Sequence, residues 1–226
     1  MRLSARLPRR TPMIILASVA IVYAAAIANA LMLQVLGWSS SYDSGFHWAV
    51  GMPIYQGILM MISTALVPAF CEELLFRGTV LTALRPFGRT TAVLGSAILF
   101  GLMHGSPAQI LYTTVAGIVL AIATLESGSL WIAVLIHMFN NLLSVVETVL
   151  YVRFEEMTAR LTYGMLELLV IGGGLLCLVY LVTHREDGAQ EREQELLPHR
   201  PVRGFLTPPM LAFAIASVAQ MVLELL

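Results

Sequence analysis

Cys71-Glu72-Glu73-Leu74-Leu75-Phe76-Arg77-Gly78 places two adjacent carboxylates and a guanidinium inside an apolar run that extends from Trp48 to Leu84. A charge at the centre of a bilayer costs at least about 2.5 kcal/mol even on the mildest insertion scales, so ionisable residues at that depth usually serve a function. Glu73 and Arg77 are four residues apart, share a helix face and can pair there. Glu72 is turned about 100° from Glu73, towards a different neighbour. One arginine cannot neutralise two carboxylates, so a pair formed merely to make insertion tolerable leaves Glu72 unexplained.

Composition supplies the membrane around this stretch. Of 226 residues, 58% are hydrophobic and 12% are charged, and the mean hydropathy is +0.81. Soluble domains carry about 25% charged residues, so the chain is expected to be a polytopic membrane protein. The formal net charge of -1 gives no reason to expect a nucleic-acid partner, and every fixed cation is an arginine. Cys71 and Cys177 both fall in apolar segments. They are expected to act as small buried hydrophobes, and the carboxylates beside Cys71 disfavour the thiolate that a nucleophile needs.

Outward from the glutamates, the apolar periods predict an all-α bundle forming a single integral membrane domain over residues 1–226, with a motif-bearing core at about 48–152. A basic head over residues 1–12 precedes an apolar run from Met13 to Leu36, longer than the ~20 residues a spanning helix needs. Ala28-Asn29-Ala30 resembles a signal-peptidase site, but the apolar run continues beyond it, which favours an uncleaved first helix. A Ser-rich loop over 37–47 leads into the 48–84 segment, which Pro68 is expected to kink or break one turn before the glutamates. Further helices are predicted over Thr90–His104, Pro107–Leu125, Leu130–Val152 and Tyr163–Val182. A charged linker, His184 to Gly204, then leads through Pro208-Pro209 into a last helix ending at Leu226. The count is seven spans, or eight if Pro68 divides the second.

Arginine placement orients the bundle. With the N-terminus in the cytoplasm, Arg85, Arg89, Arg185, Arg192, Arg200 and Arg203 also fall inside, and only Arg153 and Arg160 fall outside. That alternation satisfies the positive-inside rule. Glu147 and Glu167 then sit near the outer ends of their helices, where they are expected to reach water.

Two later apolar segments carry polar interruptions. His104 closes Phe100-Gly101-Leu102-Met103-His104-Gly105, whose Gly101 and Gly105 have the spacing that lets helices approach closely. His137 lies within apolar Trp131–Phe139, with Asn141 one turn on along the same face and Asn140 turned away. Intramembrane His and Asn also serve as hydrogen-bonding glue between helices. Glu72 lies about 20 Å of helix from Arg85 and His104 about 22 Å from Arg89. His137 comes earlier in its span, so its helix must tilt or start deeper for the three to meet.

Together these residues are parts of a hydrolytic site. A desolvated glutamate near a histidine can hold and activate water as a general base. A second histidine and an asparagine can donate hydrogen bonds to the oxyanion of a tetrahedral intermediate. A metal-dependent version would use Glu72, His104 and His137, since two histidines and a carboxylate form a known catalytic zinc set. No HExxH is present, asparagine is a poor zinc ligand, and metal-free water activation is favoured. There is no G-x-S-x-G elbow, and the only aspartates, Asp43 and Asp187, lie in loops on opposite sides.

The ordered set Glu72-Glu73-x-x-x-Arg77, Phe100-x-x-x-His104 and His137-x-x-x-Asn141 resembles the three-motif pattern of CPBP intramembrane proteases, which include CAAX prenyl endopeptidases and bacteriocin-processing or Abi proteins. The likeness covers roughly residues 65–145. It implies a helical membrane protein with a polar intramembrane cavity. Glu72 would be the water-activating base, helped by His104, with His137 and Asn141 as oxyanion or water partners. Glu73 and Arg77 would position the site. The family has been described both as metalloproteases and as glutamate proteases, so a divalent metal such as zinc stays open.

The expected activity is endoproteolysis of a membrane-associated peptide or protein, near the cytoplasmic leaflet. The alternatives are a non-catalytic scaffold or immunity protein, and a proton-coupled transporter. Compact size and family distribution suggest a multi-pass protein of a prokaryotic plasma membrane.

Overall fold

The computed structural model describes residues 9–37, 52–184 and 208–224. The Ser-rich loop, the helix start expected at Trp48, and most of the charged linker lie outside the described residues. Seven helices are described: α1 (Thr11–Val35), α2 (Ile54–Phe87), α3 (Arg89–Met103), α4 (Ile110–Ser127), α5 (Leu130–Arg153), α6 (Glu156–Thr183) and α7 (Pro208–Glu224). Five of them, α1, α2, α4, α5 and α6, are long and apolar enough to cross a membrane. The protein is an all-α, multi-pass membrane bundle. Its lipid-facing character is plain on α6, where Leu168, Leu169 and Leu176 are more than 70% exposed. Such a surface is stable only against hydrocarbon.

Successive helices alternate in direction. At one end of the bundle Arg10 donates to the His184 carbonyl (2.8 Å), joining the start of α1 to the end of α6. At the same end Arg89 pairs with Glu126, joining the start of α3 to the end of α4. Leu81, Leu84, Ala92, Val93 and Ala121 pack beneath this end and close it.

Close approach depends on small residues. A Cβ on Gly117 of α4 would lie 2.8 Å from Ala97 Cα of α3, and one on Gly174 of α6 would lie 2.6 Å from the Leu16 carbonyl oxygen of α1. The Gly101/Gly105 spacing does what its pattern predicts: Gly101 lets Thr114 of α4 approach, and Gly105, at φ +66°, lies under Gln220 of α7. Gly117→Leu is expected to cost about 1–3 kcal/mol through overpacking, read as a lowered Tm of the purified protein in detergent.

Pro68 does not divide the second segment; α2 is helical throughout Ile54–Phe87. Proline lacks an N–H, and its ring presses on the carbonyl four residues before it. The helix accommodates this by widening into a π stretch at Ile62–Leu66. Thr64, the residue whose carbonyl Pro68 leaves without its usual donor, instead accepts a hydrogen bond from Asn141 Nδ2 of α5 (3.4 Å). A second π stretch, Leu74–Val80, follows the glutamates. The α-helical turn Val67–Glu73, which carries both carboxylates, is thus bracketed by π geometry, an irregularity frequent at functional sites.

The other boundaries move by a few residues, the largest change being α6, which begins at Glu156 rather than Tyr163. Cys71 and Cys177 are both free thiols, and Cys71 is exposed on the outside of α2 rather than buried.

Candidate active site

Arg77 anchors the site. It is fully buried, donating from Nη1 to Glu73 Oε1 (2.9 Å) and from Nη2 to the Gly117 carbonyl (3.0 Å). Its guanidinium lies over the Phe100 ring, 4.5 Å from the centroid, where the negative π face attracts a cation. The helical pairing of Glu73 with Arg77 is therefore present as expected, and α4 completes it.

The same Glu73 oxygen receives His137. Nδ1–H of His137 donates to Glu73 Oε1 (2.9 Å), which directs its other ring nitrogen, Nε2, towards Glu72 Oε2 at 3.9 Å. Both glutamates thus face one imidazole from adjacent positions on α2. His137 thus contacts the carboxylate that Arg77 holds and approaches the one that Arg77 does not hydrogen-bond.

His104 is the C-terminal cap of α3, followed by the left-handed Gly105 that ends the helix. Its Nδ1–H donates to the Phe100 carbonyl (2.9 Å). A carbonyl can only accept, so His104 Nε2 is left as the acceptor. Phe100 is the hub of the arrangement: its ring makes edge contacts with His104 and His137, centroids 5.0 and 5.7 Å away, on the residue that also carries Arg77.

A cavity of about 830 Å³ joins the parts. Glu72, His104, His137 and Asn141 all line it. The depth condition on α5 is met: His137 reaches Glu73 of α2 and lines the same cavity as Glu72 and His104. Glu73 and Arg77 lie behind the wall, fully buried. Glu72 Oε2 is buried and has no hydrogen-bond partner. That is a costly state for a carboxylate oxygen.

Other residues of the cavity were not singled out by spacing. Asn140 lines it beside Asn141, although a single helical face would turn it away. Glu147 and Glu167 are half-buried cavity residues rather than simple helix-end residues. Tyr23 and Tyr163, hydrogen-bonded to each other between α1 and α6, also border it. Asn29, from the Ala-Asn-Ala stretch, is buried and donates to the Ala108 carbonyl (2.7 Å), so α1 is integral to the cavity wall.

Among the described residues, no group of three or more His, Cys, Asp or Glu side chains is placed to hold a metal ion, and Glu72, His104 and His137 as arranged form no such group.

Residues 54–143 match the family model described as type II CAAX prenyl endopeptidase Rce1-like. This stretch is similar to the Rce1-like family. No curated protein and no solved structure gives a significant match. The Rce1-like stretch runs from the first residue of α2 to just past Asn141, and so contains all seven motif residues. α1 and α6 lie outside it, yet both contribute cavity wall. The family is one of membrane proteases, and a membrane-associated peptide or protein is the substrate it implies.

Proposed function

We propose that the cavity is the active site of an intramembrane endopeptidase that hydrolyses a peptide bond in a membrane-associated protein or peptide. The observation that carries this reading is the buried Glu72 Oε2, which accepts no hydrogen bond from the protein and faces His137 Nε2 at 3.9 Å, with His104 in the same cavity. An oxygen in that state binds water strongly and can take its proton. His104, whose Nδ1–H is held by the Phe100 carbonyl, presents Nε2 as an acceptor for the second water hydrogen. The water oxygen then attacks the scissile carbonyl.

As the C–O bond forms, negative charge gathers on the former carbonyl oxygen. His137 in its doubly protonated form offers Nε2–H to that oxygen while Nδ1–H stays on Glu73. Asn141 is tethered to Thr64 by one amide hydrogen and has a second to donate. Donors fixed before reaction cost no reorganisation when charge develops. The protonated Glu72 then returns its proton to the leaving amine. Arg77 and Glu73 position His137 and do not touch substrate.

The test is cleavage of a quenched peptide series by the purified full-length protein beside Glu72→Ala, with and without a strong chelator. Cleavage by the wild type alone, unaffected by chelator, is the expected result. Equal cleavage by a folded Glu72→Ala variant would sink the mechanism, and chelator sensitivity would replace its water-activation step with a metal-dependent one.

A further inference from the structure

The two ends of the bundle differ in charge and in access. The end closed by the Arg10–His184 and Arg89–Glu126 contacts also carries Arg85. The segments continuous with it add arginines: four of the thirteen lie in residues 1–10, and four more in residues 185–203, between the end of α6 and the start of α7. α7 agrees, because its Gln220 lies against Gly105 at the opposite end, leaving Pro208 near the arginine-rich one. At that opposite end the chain turns between α5 and α6 with Arg153 and Arg160 offset by Glu155 and Glu156.

The cavity belongs to the arginine-poor end. It is lined by the second half of α1 as far as Gln34 and Gly37, the end of α3 at His104, the first half of α4, and the later part of α5 to Glu147. Gln34 is 24 residues beyond Arg10, about 36 Å of helix, against a hydrocarbon core of about 30 Å. The mouth therefore lies across the membrane from the arginines. Glu72, about 20 Å from Arg85 by the same measure, sits in the mouth-side half of the bilayer. Between it and the arginine end, Leu81, Leu84, Ala92, Val93 and Ala121 are buried against one another.

Arginines within 15–20 residues of spanning segments stay cytoplasmic, and acidic residues contribute little to the bias. We propose that the arginine-rich end is cytoplasmic and that the catalytic cavity opens to the opposite, extracytoplasmic face. Its substrate is then a peptide segment presented at the outer leaflet: an exported peptide, or the outer juxtamembrane stretch of a membrane protein. A cytoplasmic carboxyl-terminal tail, prenylated or not, meets the closed end. This replaces the expectation of cleavage near the cytoplasmic leaflet, which cannot hold together with a cytoplasmic N-terminus. The choice of substrate rests on the proteolytic reading; the orientation does not.

Two single-cysteine forms of the full chain decide it, each with Cys71 and Cys177 replaced by alanine. Val35→Cys marks the last residue of α1, 86% exposed at the mouth end, and Thr90→Cys marks the exposed start of α3 at the closed end. With a membrane-impermeant maleimide, Val35→Cys is expected to label as fully in intact cells as after permeabilisation, and Thr90→Cys only after it. Labelling of Thr90→Cys in intact cells, alone or together with Val35→Cys, would overturn the proposal. A bilayer-impermeant peptide cleaved in solution should be cleaved by right-side-out vesicles and spared by inverted ones. The reverse would also overturn it. If the labelling holds but no peptide is ever cleaved, the proteolytic reading has failed and the orientation stands.

Discussion

Glu72→Gln is expected to fold like the wild type and to cleave between about 10² and 10⁴ times more slowly, the range by which a positioned general base accelerates proton transfer. Glutamine keeps the volume and one acceptor oxygen of the side chain but cannot take a proton from water. The cost to folding should be small because Glu72, 24% exposed, faces the cavity rather than the packed interior. Single-turnover rates and the Tm in detergent, measured on the same preparation, separate the two effects. A wild-type rate in the glutamine variant would remove Glu72 from the role of base and direct attention to His137.

Arg77→Met should have the larger structural effect. The guanidinium and its Glu73 partner are both fully buried, and breaking a buried pair by removing one member costs about 3–5 kcal/mol. The Gly117 carbonyl loses its side-chain donor and Phe100 loses the cation over its ring. His137 then becomes the remaining hydrogen-bond partner of the Glu73 oxygen that Arg77 held. The variant is expected to unfold at a markedly lower denaturant midpoint and to lose activity with it. Adding Glu73→Gln should recover part of the stability, since it removes the uncompensated charge, but not the activity, since it weakens the hold on His137. A stable, active Arg77→Met protein would show that the pair is dispensable.

The sequence was most informative where the membrane makes polar residues expensive. Glu72, Glu73, Arg77, His104, His137 and Asn141 stood out because hydrocarbon surrounds them, and an i, i+4 spacing was enough to pair Glu73 with Arg77. The bond from His137 to Glu73 spans 64 residues and depends on how α5 packs against α2, which no local spacing contains. The angle of a regular helix turns Asn140 away from the face of His137 and Asn141, yet a wide cavity accepts residues from more than one face. Pro68 in a regular α-helix predicts a kink or break. What could not be read was that π geometry before it would keep α2 continuous. Glu147 and Glu167 looked like ordinary helix-end residues because only the packing of α1 against α6 makes a wall of that region.

The two π stretches have a consequence for how α2 tolerates change in length. Each holds an extra residue relative to the α geometry beside it, so it acts as a phase shift between the stretches above and below. The carboxylate turn Val67–Glu73 is thereby uncoupled from the angular register of the mouth-side segment Ile54–Met61. Adding or removing one residue within Ile62–Leu66 would swing the mouth-side segment by about 100° about the helix axis, leaving the carboxylates keyed to Arg77 and His137. The segment Ile54–Met61, whose Ile54, Tyr55, Ile58 and Leu59 are exposed on the outside of the bundle, can therefore be re-indexed by single-residue insertions and deletions while the catalytic face stays in place.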